Sequence, residues 1–458
     1  MRKSALDGVR ETVLDDAAFG REGESADALY RAFHVAKNER LCGVGLLKRV
    51  GSMSADDGAP VERFFSTAHL AALTFMRGAQ DEADAFAAYR AALVDTLGGG
   101  RERRLDDVLQ VAPRALLVDG KRWCFGHADG GIFFEGALDE IAEEHGASAA
   151  DADDAKRALR KYLRSVGRQP REPLPYHAVL LADGDRMGAC IDAMGDWQAH
   201  KALSNELADF ARQAQDIVET HDGALIYSGG DDVLAFVPLG RALDCAAALR
   251  DAFTRAAQGF AIDDARRPTL SVGVGVSHYK QPMGEALELA RRAEALAKVE
   301  RDSLAVIVDK RGGAPVELAG PWSASAGEAT LFERLASFVT LHCEDRVPDR
   351  MAFQLEQVES LRAGDAPAGM DEVVRADVER LFARKQPRGA QGGRLDEDVR
   401  RKLEGALAEP GRLGRELIVA RLFADAAVQS GRATPREPGA AQAPTQAQTR
   451  AQERTVQT

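Results

Sequence analysis

Leu225-Ile226-Tyr227-Ser228-Gly229-Gly230-Asp231-Asp232-Val233-Leu234-Ala235-Phe236-Val237 sets an apolar run on each side of Gly-Gly-Asp-Asp. Aromatic and β-branched residues suit strands and glycines suit a tight bend, so the stretch reads as a β-hairpin with two adjacent carboxylates at its turn. Gly and Asp are also ordinary turn residues, and in isolation the tetrapeptide is as well explained by a surface turn. Its surroundings favour a site. A second acidic turn, Ala182-Asp183-Gly184-Asp185-Arg186-Met187-Gly188, closes another strand-like run, Ala178-Val179-Leu180-Leu181. If the two strands pair, Asp183 joins Asp231 and Asp232 at one end of a sheet. Hard divalent ions such as Mg²⁺ take oxygen ligands from carboxylates plus substrate phosphates, and phosphoryl transfer uses pairs of such ions.

Between the two acidic turns, Leu203, Leu207, Phe210, Ala214, Ile217 and Val218 recur at helical spacing and predict an amphipathic helix from His200 to His221. Beyond the hairpin, Ala242–Ala257 reads as a helix. Leu270, Val272, Val274 and Val276 alternate with Ser271, Gly273, Gly275 and Ser277 as a strand, Met283–Lys298 reads as a helix, and Leu304–Val308 as a strand. This order predicts an α+β domain of ferredoxin-like or palm type over residues 176–311. The small face of Ser271, Gly273 and Gly275 fits either a nucleotide base or a closely packed helix.

The flanks read as mainly helical. Ser66 is a candidate N-cap for a run from Thr67 to Leu97, and Ile132-Phe133-Phe134 reads as a short extended stretch within a region spanning 26–168. Gly167 to Pro175 holds three prolines and reads as a linker. A helical bundle is expected over 327–431, with Leu331, Leu335, Phe338 and Leu341 on one face and Leu413, Leu417, Ala420, Leu422 and Phe423 on another, interrupted at Pro387 to Gly393. Residues 1–25 are expected to be flexible, and 432–458, nearly devoid of large apolar side chains, to be disordered.

The ordered set Leu180 to Gly188, His200-Lys201-Ala202-Leu203-Ser204, Ile226 to Ala235, Thr269 to Gly275, Ala293 to Lys298 and Ala305 to Gly313 resembles the second palm domain of the large subunit of type III CRISPR effector complexes, most like type III-B. Weaker likeness runs upstream through Glu39-Arg40-Leu41-Cys42, Leu46 to Arg49, Phe65-Ser66-Thr67 and Gly131 to Glu135. The resemblance implies a GGDEF-like, nucleotide-cyclase-like palm that polymerises ATP into cyclic oligoadenylates, working with the other effector subunits, guide RNA and target RNA. It assigns Asp183 and Asp231 to the bridging metal, Asp232 to a second Mg²⁺ or Mn²⁺, and the Gly184 carbonyl to the coordination shell. Gly229 and Gly230 would let the backbone approach phosphate, and Lys298, with Arg301 as helper, would meet the β- and γ-phosphates. Lys298 also reads simply as a cation favoured at a helix C-terminus. The family's zinc element would fall near Cys42, where a single cysteine cannot complete a four-cysteine site. Its His-Asp nuclease and first palm are not found, so a homodimer or a separately encoded palm is expected to complete an active enzyme. His221-Asp222 ends a helix and reads as a turn rather than a nuclease site. A non-catalytic scaffold is the second reading.

Diguanylate cyclases carry a similar hairpin, but their aromatic residue after the acidic pair is Val233 here. Their inhibitory Arg-x-x-Asp is replaced by Asp222-Gly223-Ala224-Leu225, and their guanine-reading Asn is Ile191. ATP is therefore expected over GTP, and a diguanylate-type or other nucleotide cyclase outside CRISPR is the third reading.

With 458 residues, 45% of them hydrophobic, the chain has material for several cores. It lacks a run of apolar residues long enough to span a membrane and an apolar leader after Met1, so a cytoplasmic protein without membrane contact is expected. Five scattered cysteines give no disulfide framework. A net charge of −12 opposes a broad grip on nucleic acid. The basic run Lys156 to Lys161 reads as a solvated helix face or, less simply, as an RNA contact.

Overall fold

The computed structural model describes Cys42 and residues 66–97, 117–118, 121–126, 128–144, 146–167, 172–260, 267–324, 328–360, 370–384, 397–404 and 409–433. The expectations for residues 1–25, Pro387 to Gly393 and the tail beyond 433 lie outside them. The chain divides into two compact units, 1–64 with 112–114, and 65–111 with 115–458. The second holds all that follows.

Two helices, α1 (Thr67–Gly78) and α2 (Ala83–Leu97), stand where one run was expected. The Ser66 side chain accepts from the His69 N–H at 2.9 Å, capping α1 as its sequence implies. The break follows Gly78, where a Cβ would lie 1.9 Å from the Gln429 carbonyl oxygen, so the end of α1 abuts other backbone and turns away. Strands β1 (Leu117–Val118) and β2 (Lys121–Arg122) form a small ribbon. Of Ile132-Phe133-Phe134 only Phe134 is extended: Gly130–Phe133 is a 3₁₀ turn, because the Asp129 side chain caps the Gly131 N–H at 2.6 Å. Helices α3 (Glu135–Glu144) and α4 (Ala149–Val166) follow, α4 opened by a Ser148–Asp151 capping box and closed by Gly167 at φ 66°. Phe75, Phe86, Phe125, Phe133 and Tyr162 pack their rings together as the core of this layer. Three of the four basic side chains in the run on α4 are ion-paired. Lys156 pairs with Asp139, Arg157 with Asp154 and Arg160 with Glu135, which supports the solvated-face reading.

The palm begins with β3 (Tyr176–Asp185), then α5 (Met187–Asp192), α6 (Trp197–Thr220), the hairpin β4 (Ala224–Ser228) and β5 (Val233–Pro238), α7 (Ala242–Ala257), β6 (Thr269–His278), α8 (Met283–Glu300) and β7 (Ser303–Val308). The sheet order is β4-β5-β3-β6-β7-β8, and its first four strands with α6 and α7 have ferredoxin-like order, all antiparallel. β7 joins parallel to β6 through α8. Two expectations are corrected. Asp183-Gly184-Asp185 is not a turn but the last rung of β3, paired with Ser271, Leu270 and Thr269; the chain turns at Arg186, φ 59°. Nor does the sheet stop at 311, because β8 (Val316–Pro321) pairs antiparallel with β7 and covers its edge.

Alternation along β3 divides the packing. Ala178, Leu180 and Ala182 face a core with Phe210 and Ala214 of α6 and Leu249 and Phe253 of α7, whereas Val179 faces the aromatic layer. Helices α9 (Leu331–Cys343), α10 (Asp349–Ser360), α11 (Met370–Arg384), α12 (Glu397–Glu404) and α13 (Pro410–Gln429) close the far side, with Leu331, Leu335, Phe338, Leu341, Leu413 and Leu417 buried as the sequence pattern implies. No helix among the described residues is long and apolar enough to cross a membrane.

The small face of β6 receives a helix. A Cβ on Gly273 would lie 2.2 Å from the Glu294 nitrogen, and one on Gly275 2.7 Å from the Ala290 nitrogen, so α8 sits directly on the β6 backbone. Gly273→Ala is accordingly expected to destabilise the fold by about 3 kcal/mol or to prevent folding. Gly284→Ala, in open space at the start of the same helix, should be neutral or stabilise by up to ~1 kcal/mol. Urea denaturation of both variants measures the contrast, and equal stabilities would refute the close contact.

Candidate metal and nucleotide site

The register that places Ala182 opposite Val233 brings the end of β3 beside the hairpin turn. Gly229 N–H donates to the Asp232 carbonyl at 2.9 Å, closing a two-residue turn in which Gly230 holds the positive φ, 98°, that its first position requires. One carboxylate oxygen from each of Asp183, Asp231 and Asp232 lies within 4.8 Å of the others, and all three residues are half-buried. At such a separation two full charges repel by roughly 3 kcal/mol for an effective dielectric of about 20, so the cluster calls for a cation. Burial, then the charge of Asp232, raises the pKa of Asp231.

Gly184 is necessary to this geometry, since a Cβ there would stand 2.7 Å from the Asp231 Cβ. Its carbonyl points into the cluster and accepts from Lys298 Nζ at 3.0 Å. Lys298, in the last turn of α8, also forms an ion pair with Asp183 and lies 3.4 Å from Asp185 Oδ1. Burial and the nearby charge of Arg301 pull its ammonium down to about 8, which leaves it charged at neutral pH. Arg301 caps α8 with φ 60° and reaches the cluster through this charge effect. The hairpin glycines differ. The Cβ side of Gly229 is covered by the Tyr227 hydroxyl, whereas Gly230 has only Leu207 Cβ, 3.8 Å away, on its corresponding side.

Asp185 is the residue that sequence reasoning passed over, although it stands in the same Asp-Gly-Asp. Fully buried, it accepts from Thr269 Oγ1 at 2.9 Å, from Ser271 Oγ at 2.9 Å and from the Asp302 N–H at 2.9 Å. It thereby ties β3 to β6 and to the turn that ends α8. The alternation of β3 carried a signal, since Asp185 shares its face with Asp183 and must find partners on the neighbouring strand. Glu294 is a second omission: burial, with Asp185 and Asp232 nearby, raises its pKa. The expected turn role of His221-Asp222 agrees with the geometry. Asp222, at φ 61°, is bound by Arg77 and faces Arg241 at 3.6 Å, at the opposite end of the β4–β5 hairpin from the cluster.

Residues 176–305 match the family described as Cas10/Cmr2, second palm domain, and this part of the chain is a palm domain of that kind. The Cmr subunit Cmr2 of the CRISPR system of Pyrococcus furiosus is 32% identical over 181 residues, 33% of this chain and 20% of that protein. Its counterpart from Saccharolobus solfataricus is 30% identical over 147 residues, 28% of this chain and 13% of that protein. The matched stretches thus span a fifth or less of these relatives. Among solved structures, the type III-B Cmr-beta complex in its apo state aligns with 83% of this chain and 50% of its own, at 13% identity and a TM-score of 0.46.

Removing the Asp185 carboxylate would strand the buried Ser271 hydroxyl and take the acceptor from the half-buried Thr269 hydroxyl and Asp302 N–H. Asp185→Ala is expected to cost about 3 kcal/mol of stability, and Asp185→Asn less, because an amide oxygen still accepts. Chemical denaturation distinguishes them; a loss below ~1 kcal/mol for the alanine variant would contradict the anchoring role.

Proposed function

We propose that this palm binds ATP with divalent metal and joins nucleotides into cyclic oligoadenylates, as part of a type III CRISPR effector complex. The observation that carries the proposal is the meeting of Asp183, Asp231, Asp232, the Gly184 carbonyl and Lys298 at one end of a palm sheet. Carboxylates and a carbonyl are the hard oxygen donors that Mg²⁺ and Mn²⁺ prefer, so the residues present fit such ions. Asp183, Asp231 and the Gly184 oxygen would hold one ion and Asp232 would share a second. Bound ions would neutralise charge on the triphosphate and stabilise the attacking and leaving oxygens.

The chain's own residues supply position and charge. Gly230, open on its Cβ side but for Leu207, would allow close backbone approach to phosphate, and Gly229 beside it would do so only on the side away from the Tyr227 hydroxyl. Lys298 would meet the β- and γ-phosphates and Arg301 would add positive potential. In the reaction, a ribose hydroxyl of one nucleotide attacks the α-phosphate of another; the new P–O bond forms as the α–β bridge breaks, pyrophosphate leaves and the hydroxyl proton passes to solvent. Most of the acceleration comes from alignment and electrostatics. The acceptor nucleotide must be held opposite the donor, by a second copy of this palm or by a palm on another subunit. Ile191, exposed on α5 where the guanine-reading Asn of related cyclases would fall, offers no hydrogen bond to guanine and favours adenine.

Calorimetry tests the assignment. ATP should bind more tightly with Mg²⁺ or Mn²⁺ than with chelator, more tightly than GTP, and the joint substitution Asp231→Ala with Asp232→Ala should abolish the metal-dependent gain while circular dichroism stays unchanged. Equal ATP binding by variant and native protein would refute it, and cyclic di-GMP as the main product from mixed nucleotides would reassign the substrate.

A further inference from the structure

The Lys298 ammonium lies against oxygens assigned above to metal. It pairs with Asp183, donates to the Gly184 carbonyl at 3.0 Å and approaches Asp185 at 3.4 Å. A divalent ion drawing on Asp183 and Gly184 would compete with a fixed positive charge for the same lone pairs. We propose that Lys298 is a tethered competitor of the metal: its ammonium and the ion exchange at Asp183, so that metal binds weakly until a triphosphate draws the lysine away, which couples metal binding to nucleotide binding. The inference rests on the reading of Asp183 and Asp231 as metal ligands and goes beyond it.

Three features make the exchange feasible. Asp185 does not need the lysine, because Thr269, Ser271 and the Asp302 N–H already satisfy its carboxylate. Asp183 does need a cation, having no other hydrogen-bond or ion-pair partner among the described residues. Lys298 itself can move, since its stem is a flexible four-carbon chain and its side chain is 24% exposed, whereas the helix bearing it is fixed by buried Ala290, Ala293 and Ala297. One mobile cation thus stands between a satisfied buried carboxylate and an unsatisfied half-buried one. A triphosphate offers it a more concentrated negative charge, and its departure frees the Asp183 and Gly184 oxygens together.

Mn²⁺ titration of the full chain without nucleotide, followed by electron paramagnetic resonance of free Mn²⁺, tests this. Lys298→Met should bind Mn²⁺ at least tenfold more tightly than the native protein, while Lys298→Arg, which keeps the charge, should stay within about threefold of it. Lys298→Gln, uncharged but able to donate to the Gly184 oxygen, should follow the Met variant and serves if that variant fails to fold. Equal or weaker Mn²⁺ binding by the uncharged variants, with binding still lost in Asp231→Ala, would overturn the competition alone. Mn²⁺ binding that Asp231→Ala does not diminish would overturn the metal site and the competition with it.

Discussion

The pairing of β3 with β5 on one side and β6 on the other is the constraint on which the site depends. Ala182 opposite Val233 and Asp183 opposite Ser271 fix where the strand end meets the hairpin turn. A slip of one residue would turn Asp183 and Asp185 to the other face and bury Val179 against the wrong core, so the apolar pattern that stabilises the sheet also holds the carboxylates together. The cost of assembling like charges is carried by burial of Ala178, Leu180 and Ala182 against α6 and α7, remote from the charges themselves.

The second requirement is the seating of α8. Gly273 and Gly275 let this helix approach the sheet at backbone distance, and its alanine face, Ala290, Ala293 and Ala297, completes the contact. That approach determines where Lys298 can reach. With bulkier residues on β6 the helix would stand farther off, and the ammonium could not touch the Gly184 carbonyl. Asp185 reinforces the same geometry from within, since it binds both β6 and the turn after α8. Site and scaffold therefore share residues, which explains why the fully buried carboxylate of β3 lies next to the half-buried cluster.

Much of this was legible in the residues. Hydrophobic periodicity located the palm helices to within a few residues, and Gly-Gly-Asp-Asp between apolar runs identified the hairpin, because these signals are local. The errors share a physical origin in tertiary contact. Thr67 to Leu97 breaks because Gly78 meets Gln429, and Ile132 and Phe133 form a 3₁₀ turn because Asp129 caps Gly131; neither partner is visible in a hydrophobicity pattern. β8 went unplaced because Val316 to Pro321 carries Gly320 and Pro321, poor strand residues tolerated at a sheet edge. Asp185 was passed over for the opposite reason. Its neighbours Asp183 and Gly184 already accounted for the motif, and its role depends on a cross-strand serine and threonine.

The central claim is that Asp183, Asp231 and Asp232 form one metal centre because strand pairing forces them together. Anomalous diffraction from crystals soaked in Mn²⁺ and a non-hydrolysable ATP analogue measures this most directly. The account predicts a Mn²⁺ peak about 2.2 Å from carboxylate oxygens of Asp183 and Asp231, with the Lys298 ammonium withdrawn toward the phosphates. Bound nucleotide without a metal peak at these residues, or Mn²⁺ held elsewhere while Lys298 remains on Asp183, would contradict it.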